Sequence, residues 1–338
     1  MSNSSEEMLR KAEEINSKVL ITIKKGIDDT FNFKEPLSSA ANHYFQAEGK
    51  GLRPALAVFS CEATGGLEEE AIHVAAAIET LHTFTLVHDD IMDNDDLRRN
   101  VPTVHKKWNV DTAILTGDAQ LSLAFWLLTQ ANIPSDITTH IIKRLAEVMI
   151  ELAIGQQSDI NFVDQPVTSI TVDQVLEMME KKTGVLIELC AEAGSIIGTK
   201  DVNTPFASLL GTFAKKTGIA FQIQDDLLDL LQTTEKLGKQ QGGDVKEGKR
   251  TIIAVHAFNN ATTEQKEKME AIFEKSDSTE EEISKFIELL NEIGSIKYAK
   301  KIKEQLVEEA FDSLKEAGLG EKGRHIEAIG EYLVKRTY

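Results

Sequence analysis

The sequence contains little of several residue types, and each shortage excludes a class of protein. Its 338 residues include only 2 cysteines, 2 tryptophans and 6 prolines, and aromatic residues make up 6% of the chain. Two cysteines cannot build the dense disulfide framework of a small secreted domain, and no Cys and His spacing typical of a zinc site occurs. Cys61 and Cys190 both lie in apolar helical contexts. This predicts buried thiols in a reducing cytoplasm.

Positive charge is also scarce. The chain has 37 lysines and arginines against 55 aspartates and glutamates, so its formal net charge is −18. That balance argues against nucleic acid as a partner and would repel an anionic membrane surface. The sequence shows neither a signal peptide nor an unbroken apolar span of membrane length, so stable membrane insertion is not expected. An anionic substrate would need bridging cations or local basic residues.

The sequence pattern predicts helices along the whole chain. No proline interrupts a long apolar-periodic segment, and strand-like alternation is not evident. The pattern predicts a single all-α domain over residues 1–338, with residues 94–110 as a loop and Asp111 capping the helix that follows. Thr171 is predicted to cap a helix that ends near residues 181–184, and Pro205 to begin one that ends near Leu231.

Two aspartate clusters end two of the predicted helices. They share the pattern Asp-Asp-x-x-Asp after an apolar run: Asp89, Asp90 and Asp93 in the first, and Asp225, Asp226 and Asp229 in the second. A helix C-terminus carries negative partial charge, so clustered aspartates there lower stability unless a cation compensates them. One cluster alone could be a solvated helix end. Two on facing helices predict a cage of carboxylate oxygens for divalent cations.

Basic residues are concentrated in the polar segments between helices: Lys50, Arg53, Arg98, Arg99, Lys182, Lys239 and Lys249. Lys50 and Arg53 stand at a helix start, where free backbone N–H groups favour anions, although each alone could be a solvated surface cation. Basic residues together with metal-binding carboxylates are the groups that bind diphosphates. The apolar helices behind the aspartates could line a pocket for an oily tail. Together these features suggest heterolytic loss of diphosphate from a prenyl chain.

The sequence resembles the trans-isoprenyl diphosphate synthases of the polyprenyl synthetase family. The resemblance covers nearly the whole chain and rests on these stretches: Gly49-Lys50-Gly51-Leu52-Arg53-Pro54, His82, both aspartate motifs, Arg98-Arg99, Gly155-Gln156 with Asp159, Lys182-Thr183, Gln222, and Lys239, Asp244 and Lys249. It implies an isoprenoid synthase fold, in which antiparallel helices surround a deep central cavity, and a homodimer.

The resemblance also implies a role for each residue. About three Mg²⁺ ions would be held by the carboxylates of both motifs, Asp89, Asp90, Asp93, Asp225, Asp226 and Asp229, with Asp159 and Asp244 as supporting groups. The allylic diphosphate would be bound by Arg98, Lys182, Lys239 and Lys249. Isopentenyl diphosphate would be bound without metal by Lys50, Arg53, His82 and Arg99. Dipoles near the developing allylic cation would come from Lys182, Thr183 and Gln222.

The reaction implied is the condensation of isopentenyl diphosphate with dimethylallyl, geranyl or farnesyl diphosphate. The allylic substrate ionises, the isopentenyl double bond attacks, and a proton is lost. The metals would stabilise the departing diphosphate. That diphosphate could then take the proton, which fits the lack of an obvious general base.

Phe84 is the predicted floor of the product pocket. It lies five residues before Asp89, about 7.5 Å deeper at about 1.5 Å per residue along the helix axis. Its ring would block the growing tail, whereas Thr85 is small. In the family, an aromatic residue at the deeper position alone is typical of a stop at C20, and aromatic residues at both positions of a stop at C15. We therefore expect geranylgeranyl diphosphate with some farnesyl diphosphate, although Leu121 or Phe125 could also close the channel.

Three other functions compete with this interpretation. A terpene cyclase shares the fold class and the first motif, but it has no use for Lys50 and Arg53 as a second diphosphate site. A non-catalytic regulatory subunit would be expected to lose site residues, and this chain retains both motifs. A purely structural helical bundle would need neither motif.

Overall fold

The computed structural model describes residues 3–31, 34–47, 49–231 and 241–334. The chain forms two compact units. Unit 1 comprises Met1–Ala146, Leu186–Gly211 and Leu314–Ile329, and unit 2 comprises Glu147–Val185, Thr212–Ser313 and Gly330–Tyr338. The described residues are mostly helical, which confirms the predicted all-α class. The single domain and the central cavity stay predictions.

The helices follow one another along the chain with short connections. They are α1 (Asn3–Phe31), α2 (Leu37–Ala41), α3 (Leu52–Thr64), α4 (Glu68–Met92), α5 (Val104–Lys107), α6 (Val110–Thr129), α7 (Ser135–Val163), α8 (Val172–Met179), α9 (Val185–Thr199), α10 (Pro205–Leu231), α11 (Gly243–Lys246), α12 (Ile252–Asn260), α13 (Thr263–Glu270), α14 (Glu280–Ile293), α15 (Ser295–Glu316) and α16 (Arg324–Val334). Short 3₁₀ turns lie at Tyr44–Gln46, Val167–Ser169 and Gly320–Gly323, and a π-helical segment lies at Glu180–Gly184.

Helix α4 is the centre of unit 1. It packs against α1, α3 and above all α6. Its stretch from Val74 to Ile78 contains three consecutive alanines and is fully buried, so neighbouring helices approach it closely on several sides. Gly194 and Gly198 of α9 play the same role against α3, because a Cβ at either position would clash with α3 backbone carbonyls. This packing fixes the helix that carries the first motif.

Unit 2 has its own core around α12. This helix packs against α8 and α14, and its residues Ile252 and Ile253 are fully buried. Phe273 and Phe286 stack with ring centroids 5.9 Å apart. Thr251 caps α12 by accepting a hydrogen bond from Ala254 N. The cap directly follows Lys249 and Arg250, so the core of unit 2 fixes the position of this basic pair.

The predicted loop over residues 94–110 is wrong in part, because it contains a β-hairpin and the short helix α5. Strand β1 (Leu97–Arg98) pairs antiparallel with β2 (Val101–Pro102). Arg99 and Asn100 form the two-residue turn, with φ angles of 50° and 62°. Two positive φ angles are typical of a type I′ turn, which matches the twist of a hairpin. The strands are too short to show alternation in the sequence.

Two helix boundaries also differ from prediction. Asn109, not Asp111, caps α6, because its side chain accepts a hydrogen bond from Thr112 N. Thr171 does cap α8, in a capping box with Gln174. The expected helix end at residues 181–184 is instead the π-helical segment, which leads directly into α9. The sequence shows a glycine at this point, but a π segment has no simple signature.

The two cysteines are free and buried, as expected. Burial raises the pKa of the Cys61 and Cys190 thiols to about 12. Within the described residues, no helix is both long and apolar enough to span a membrane.

Candidate active site

The first motif divides its carboxylates between two environments. Asp89 is half-buried and Asp93 is exposed, whereas Asp90 has no exposed surface. One Asp90 oxygen accepts hydrogen bonds from Arg98, whose Nε lies 2.8 Å away and whose Nη2 also donates. The other oxygen accepts from the Tyr44 hydroxyl. Asp90 therefore holds Arg98, at the start of the hairpin, against the end of α4.

Tyr44 is a site residue that the sequence analysis missed. It is 2% exposed and precedes the Gly49-Lys50 segment. Burial raises the pKa of Tyr44, and the hydrogen bond to Asp90 raises it further, so the phenol stays protonated and donates to this carboxylate. Nothing in the spacing of Tyr44 could have indicated this contact, because 46 positions separate the two residues.

Three of the four predicted isopentenyl diphosphate residues, Arg53, His82 and Arg99, come together in unit 1. Arg53 Nη1 lies 3.2 Å from His82 Nε2. Burial and then Arg53 lower the pKa of His82 well below its usual value, so the ring is neutral. Because a guanidinium can only donate, His82 Nε2 accepts this hydrogen bond. The Arg99 guanidinium packs on the Gly49 backbone, where a Cβ would lie 2.9 Å from Nη1.

Glu79 supplies a negative charge beside these cations. It is 8% exposed and lies one helical turn before His82 on α4. Burial raises the pKa of Glu79, while Arg53 and Arg99 lower it. Among the described residues, Arg53 Nε has no hydrogen-bond partner although it is buried. A guanidinium with a buried open donor, beside the second cation Arg99, is suited to an anionic ligand.

The second motif lies in unit 2 and also has a buried middle carboxylate. Asp226 is 1% exposed, and its Oδ1 accepts a hydrogen bond from Lys249 Nζ at 3.0 Å. Lys249 Nζ also lies 3.4 Å from the Asp244 carboxylate. Asp229 Oδ2 accepts from the Asp244 backbone N–H at 3.2 Å. Thus Lys249, Asp244 and two motif aspartates form one cluster, as the resemblance implies.

This cluster holds more negative than positive charge. Burial, with Asp226 and Asp229 nearby, raises the pKa of Asp244 to about 7, although Lys249 opposes the shift. Burial also raises the pKa of Asp229. For Lys249, burial favours the neutral amine, but Asp226 and Asp244 outweigh it and raise the pKa. The carboxylates would therefore gain from additional positive charge.

The donors in this cluster fit a hard divalent cation. They are carboxylate oxygens, and Asp226 Oδ2 is buried with no hydrogen-bond partner within the described residues. In the part of the chain that the structure describes, no three His, Cys, Asp or Glu side chains are already gathered as a metal cluster. The donor chemistry thus supports a cation site.

Lys182 is placed by the π-helical segment. Its Nζ lies 2.6 Å from Asp159 Oδ2 on α7. Gly155, one turn earlier on α7, lets the two segments approach, because a Cβ there would lie 2.5 Å from Lys182 N. Gly155, Asp159, Lys182 and Thr183 are therefore neighbours in unit 2. Lys239, the other predicted ligand of the allylic diphosphate, lies outside the described residues.

Phe84 is 7% exposed and meets His88 edge to face, with centroids 4.8 Å apart. His88 Nε2 donates a hydrogen bond to the Ile114 carbonyl of α6 at 3.2 Å. Gly117 leaves room for this ring, since any Cβ there would overlap it. Thr85 Oγ1 donates to the His82 carbonyl at 2.7 Å. The buried aromatic ring thus lies where α4 approaches α6.

Known proteins resemble this chain in sequence and in fold. The sequence profile of the family described as polyprenyl synthetase matches residues 34–290. The chain belongs to the polyprenyl synthetase family. It is a prenyltransferase, a short-chain trans-prenyl diphosphate synthase. This confirms the resemblance found in the sequence.

Individual relatives cover nearly the whole chain. The geranylgeranyl pyrophosphate synthase of Geoglobus acetivorans is 37% identical, over 94% of this chain and 96% of its own. The geranylfarnesyl diphosphate synthase of Natronomonas pharaonis is 35% identical, over 90% of this chain and 91% of its own. The crystal structure of the geranylgeranyl pyrophosphate synthetase from Pyrococcus horikoshii has a TM-score of 0.90 at 36% identity, over 98% of this chain and 99% of that one. A polyprenyl synthase from Caulobacter crescentus, crystallised with calcium and isoprenyl diphosphate, has a TM-score of 0.83 at 26% identity, over 100% and 99%.

The raised pKa of Asp244 predicts a pH dependence of stability. The carboxyl has a pKa of about 7 in the folded chain and a usual value of 3.8. Between these values the folded chain binds more protons than the unfolded chain, so the free energy of unfolding should fall as the pH rises from about 4 to about 7. Asp244→Asn should remove at least about 1 kcal/mol of that fall. Urea unfolding without added metal at several pH values measures it.

The exposed Asp173 of α8 provides the control, since Asp173→Asn should leave the pH profile as it is. An Asp244→Asn profile parallel to that of the unmodified chain over this range would contradict the assignment.

Proposed function

We propose that this chain condenses isopentenyl diphosphate with allylic diphosphates to make geranylgeranyl diphosphate, with farnesyl diphosphate as a shorter product. The observation that carries the proposal is that each Asp-Asp-x-x-Asp motif buries its middle carboxylate against a cationic side chain, Arg98 in one and Lys249 in the other. A structural helix end needs no such arrangement. The relative from Geoglobus acetivorans, which bears the name of a geranylgeranyl pyrophosphate synthase, supports the product.

Isopentenyl diphosphate would bind in unit 1. Arg53 and Arg99 would take its diphosphate by charge-assisted hydrogen bonds, with Lys50 at the start of α3. His82 accepts from Arg53 and so fixes the direction of the guanidinium. Because these groups are all donors or cations, this substrate needs no metal.

The allylic diphosphate would be bound by Arg98, Lys182, Lys239 and Lys249. Lys182 is oriented by Asp159, and Lys249 by Asp226 and Asp244. These contacts leave the ammonium groups partly shared with carboxylates, so the cations stay fixed in place when the substrate leaves. The diphosphate would be drawn to this fixed positive charge as it departs from the allylic carbon.

Mg²⁺ would be held by carboxylates of both motifs, in about three ions, as hard oxygen ligands favour. The ligands would be Asp89, Asp93, Asp225, Asp226 and Asp229, with Asp159 and Asp244 in support. Bound there, the cation would supply Lewis-acid stabilisation of the negative charge on the leaving diphosphate. The structure from Caulobacter crescentus, which contains calcium and isoprenyl diphosphate, supports a divalent cation.

Lys182, Thr183 and Gln222 would place dipoles near the allylic cation. Gln222 lies one turn before Asp226 on α10, and Thr183 lies in the π-helical segment. Backbone carbonyls in a π segment are displaced from the regular helical pattern, so they can point toward a ligand. The diphosphate released would take the final proton.

Loss of a motif carboxylate tests the proposed chemistry. Asp89→Ala and Asp225→Ala should each lower turnover by about 100-fold or more, because an electrostatic contact to developing charge is worth about 3 kcal/mol. The assay follows radiolabelled isopentenyl diphosphate into product with Mg²⁺ and an allylic primer. Asp118→Ala, an exposed aspartate of α6, is the control. Turnover that survives either motif substitution, or excess chelator, would contradict the proposal.

The product length depends on Phe84. This buried ring would form the floor of the pocket, and a close-packed interior does not yield easily to another isoprene unit. The name of the Natronomonas pharaonis relative denotes a C25 product, one unit longer than C20, so the stop is not common to all relatives.

Phe84→Ala should therefore lengthen the product to C25 or beyond while the enzyme stays active. Chromatography of the dephosphorylated products measures the distribution. Phe125→Ala on α6 separates a stop made by the neighbouring helix from one made by Phe84. An unchanged chain length in active Phe84→Ala enzyme would place the floor elsewhere.

We also propose that the chain acts as a homodimer. On α6, Leu115 is 58% exposed, and Val110 and Ile114 are also exposed. Three large apolar side chains within two turns favour a partner surface. Sedimentation equilibrium should show a dimer, which Leu115→Lys should weaken by at least about tenfold in Kd because it buries an unpaired charge. A monomer at micromolar concentration would refute this part.

A further inference from the structure

The Tyr44 hydroxyl forms hydrogen bonds on both sides of the hairpin made by β1 and β2. It donates a hydrogen bond to Asp90 Oδ2 and accepts one from Val104 N at 3.2 Å. Asp90 precedes the hairpin in the chain, and Val104 follows it as the first residue of α5. One buried hydroxyl thus ties together the entry and the exit of the segment that carries Arg98 and Arg99.

Both carboxylate oxygens of Asp90 accept hydrogen bonds from other residues of the chain. It has no exposed surface, its Oδ1 accepts from Arg98 Nε and Nη2, and its Oδ2 accepts from Tyr44. Asp89 and Asp93, by contrast, both have exposed surface. A carboxylate whose two oxygens are both engaged inside the protein is poorly placed to bind an ion from solvent. The geometry separates Asp90 from the other two aspartates of its motif.

Arg98 is directed by two contacts to buried Asp90 and by one to Asp95, whose Oδ2 lies 3.2 Å from Nη2. A guanidinium is a planar fork with five N–H donors. Asp90 engages the edge formed by Nε and Nη2, so the direction of the opposite edge is fixed. If Asp90 loses the Tyr44 hydroxyl, its carboxylate can rotate, and the fork it holds rotates with it.

The residue before Tyr44 supports the same segment. His43 Nε2 lies 2.8 Å from the Pro102 carbonyl of β2, and Lys107 Nζ lies 3.3 Å from Nδ1. A carbonyl can only accept, so Nε2 carries the hydrogen and Nδ1 accepts from Lys107. Residues 43 and 44 therefore anchor the hairpin at three points: Asp90, Pro102 and Val104.

We propose that Tyr44 is a positioning residue for Arg98, acting through Asp90, and that Asp90 holds this arginine instead of a metal ion. The inference rests on the proposed function, in which Arg98 binds the allylic diphosphate. It revises the metal-ligand role that the Asp-Asp-x-x-Asp pattern implies for Asp90. Tyr44 would then influence the allylic substrate without touching it.

Tyr44→Phe removes the hydroxyl and keeps the ring. The KM for the allylic diphosphate should rise about tenfold, because a hydrogen bond to a charged group is lost. The KM for isopentenyl diphosphate should change less than twofold. Tyr298→Phe is the matched control. This tyrosine stacks on His256 in unit 2 with ring centroids 4.0 Å apart, and both KM values of the variant should equal those of the unmodified enzyme. An allylic KM within twofold of the unmodified value overturns the proposal.

A double mutant separates positioning from a general structural role. In an Arg98→Ala background, Tyr44→Phe should produce no further rise in the allylic KM, since both changes act on one contact. If Tyr44 only supports the fold, the two effects multiply, and the proposal fails. Urea unfolding of each variant shows that the comparison is made between folded proteins.

Asp90→Asn gives a second test that does not depend on Tyr44. The shape is retained, but the charge that holds Arg98 is lost, so the allylic KM should rise while the Mg²⁺ concentration for half-maximal activity stays within twofold. A several-fold increase in that Mg²⁺ concentration, as expected for Asp89→Asn, would show that Asp90 is a metal ligand and overturn the inference. The activity of the unmodified enzyme distinguishes failure of this inference from failure of the proposed function. If the unmodified enzyme does not condense the two substrates, the proposed function itself is wrong.

Discussion

A carboxylate buried at the middle of an aspartate motif is the constraint on which each of the two aspartate clusters depends. Asp90 and Asp226 are at most 1% exposed, and an unpaired charge at such a position would cost several kcal/mol. Each is therefore held by a cation, Arg98 for Asp90 and Lys249 for Asp226. Arg98 lies in β1, which follows α4, and Lys249 follows α11. Each ion pair therefore holds a later segment of the chain against the helix that carries the motif.

The two pairs are built differently, and the difference has a chemical consequence. In unit 1 both oxygens of Asp90 accept hydrogen bonds from protein donors. In unit 2 Asp226 Oδ2 has no partner among the described residues, and Asp244 and Asp229 add negative charge around a single lysine. Burial is the main cause of the raised pKa of Asp244, about 7, and the neighbouring Asp226 and Asp229 raise it further. A divalent cation beside these carboxylates would relieve their mutual repulsion.

The sequence predicted the helical class, and it shows both aspartate motifs directly, because these signals are local. Apolar periodicity, a capping threonine and Asp-Asp-x-x-Asp can each be recognised within a few residues. What it missed depends on distant or unusual geometry. Tyr44 meets Asp90 across 46 positions, the hairpin strands are two residues long, and the break expected at Lys182 is a π-helical segment. Glu79 looked like one more polar residue on a helix until the structure placed it beside Arg53 and Arg99.

The hairpin turn contains a conflict between residue type and backbone preference. Arg99 has a φ of 50°, in the left-handed region that glycine and asparagine adopt readily and that costs other residues about 1–2 kcal/mol. Its neighbour Asn100, with a φ of 62°, is a residue suited to that conformation, so the strain is confined to the arginine. The Arg99 side chain packs on Gly49, in the segment that leads to Lys50 and Arg53. A glycine at position 99 would relax the turn but would remove the cation from this cluster. Arginine at a strained position is therefore the kind of local conflict expected at a binding site, where the charge is needed more than the stability.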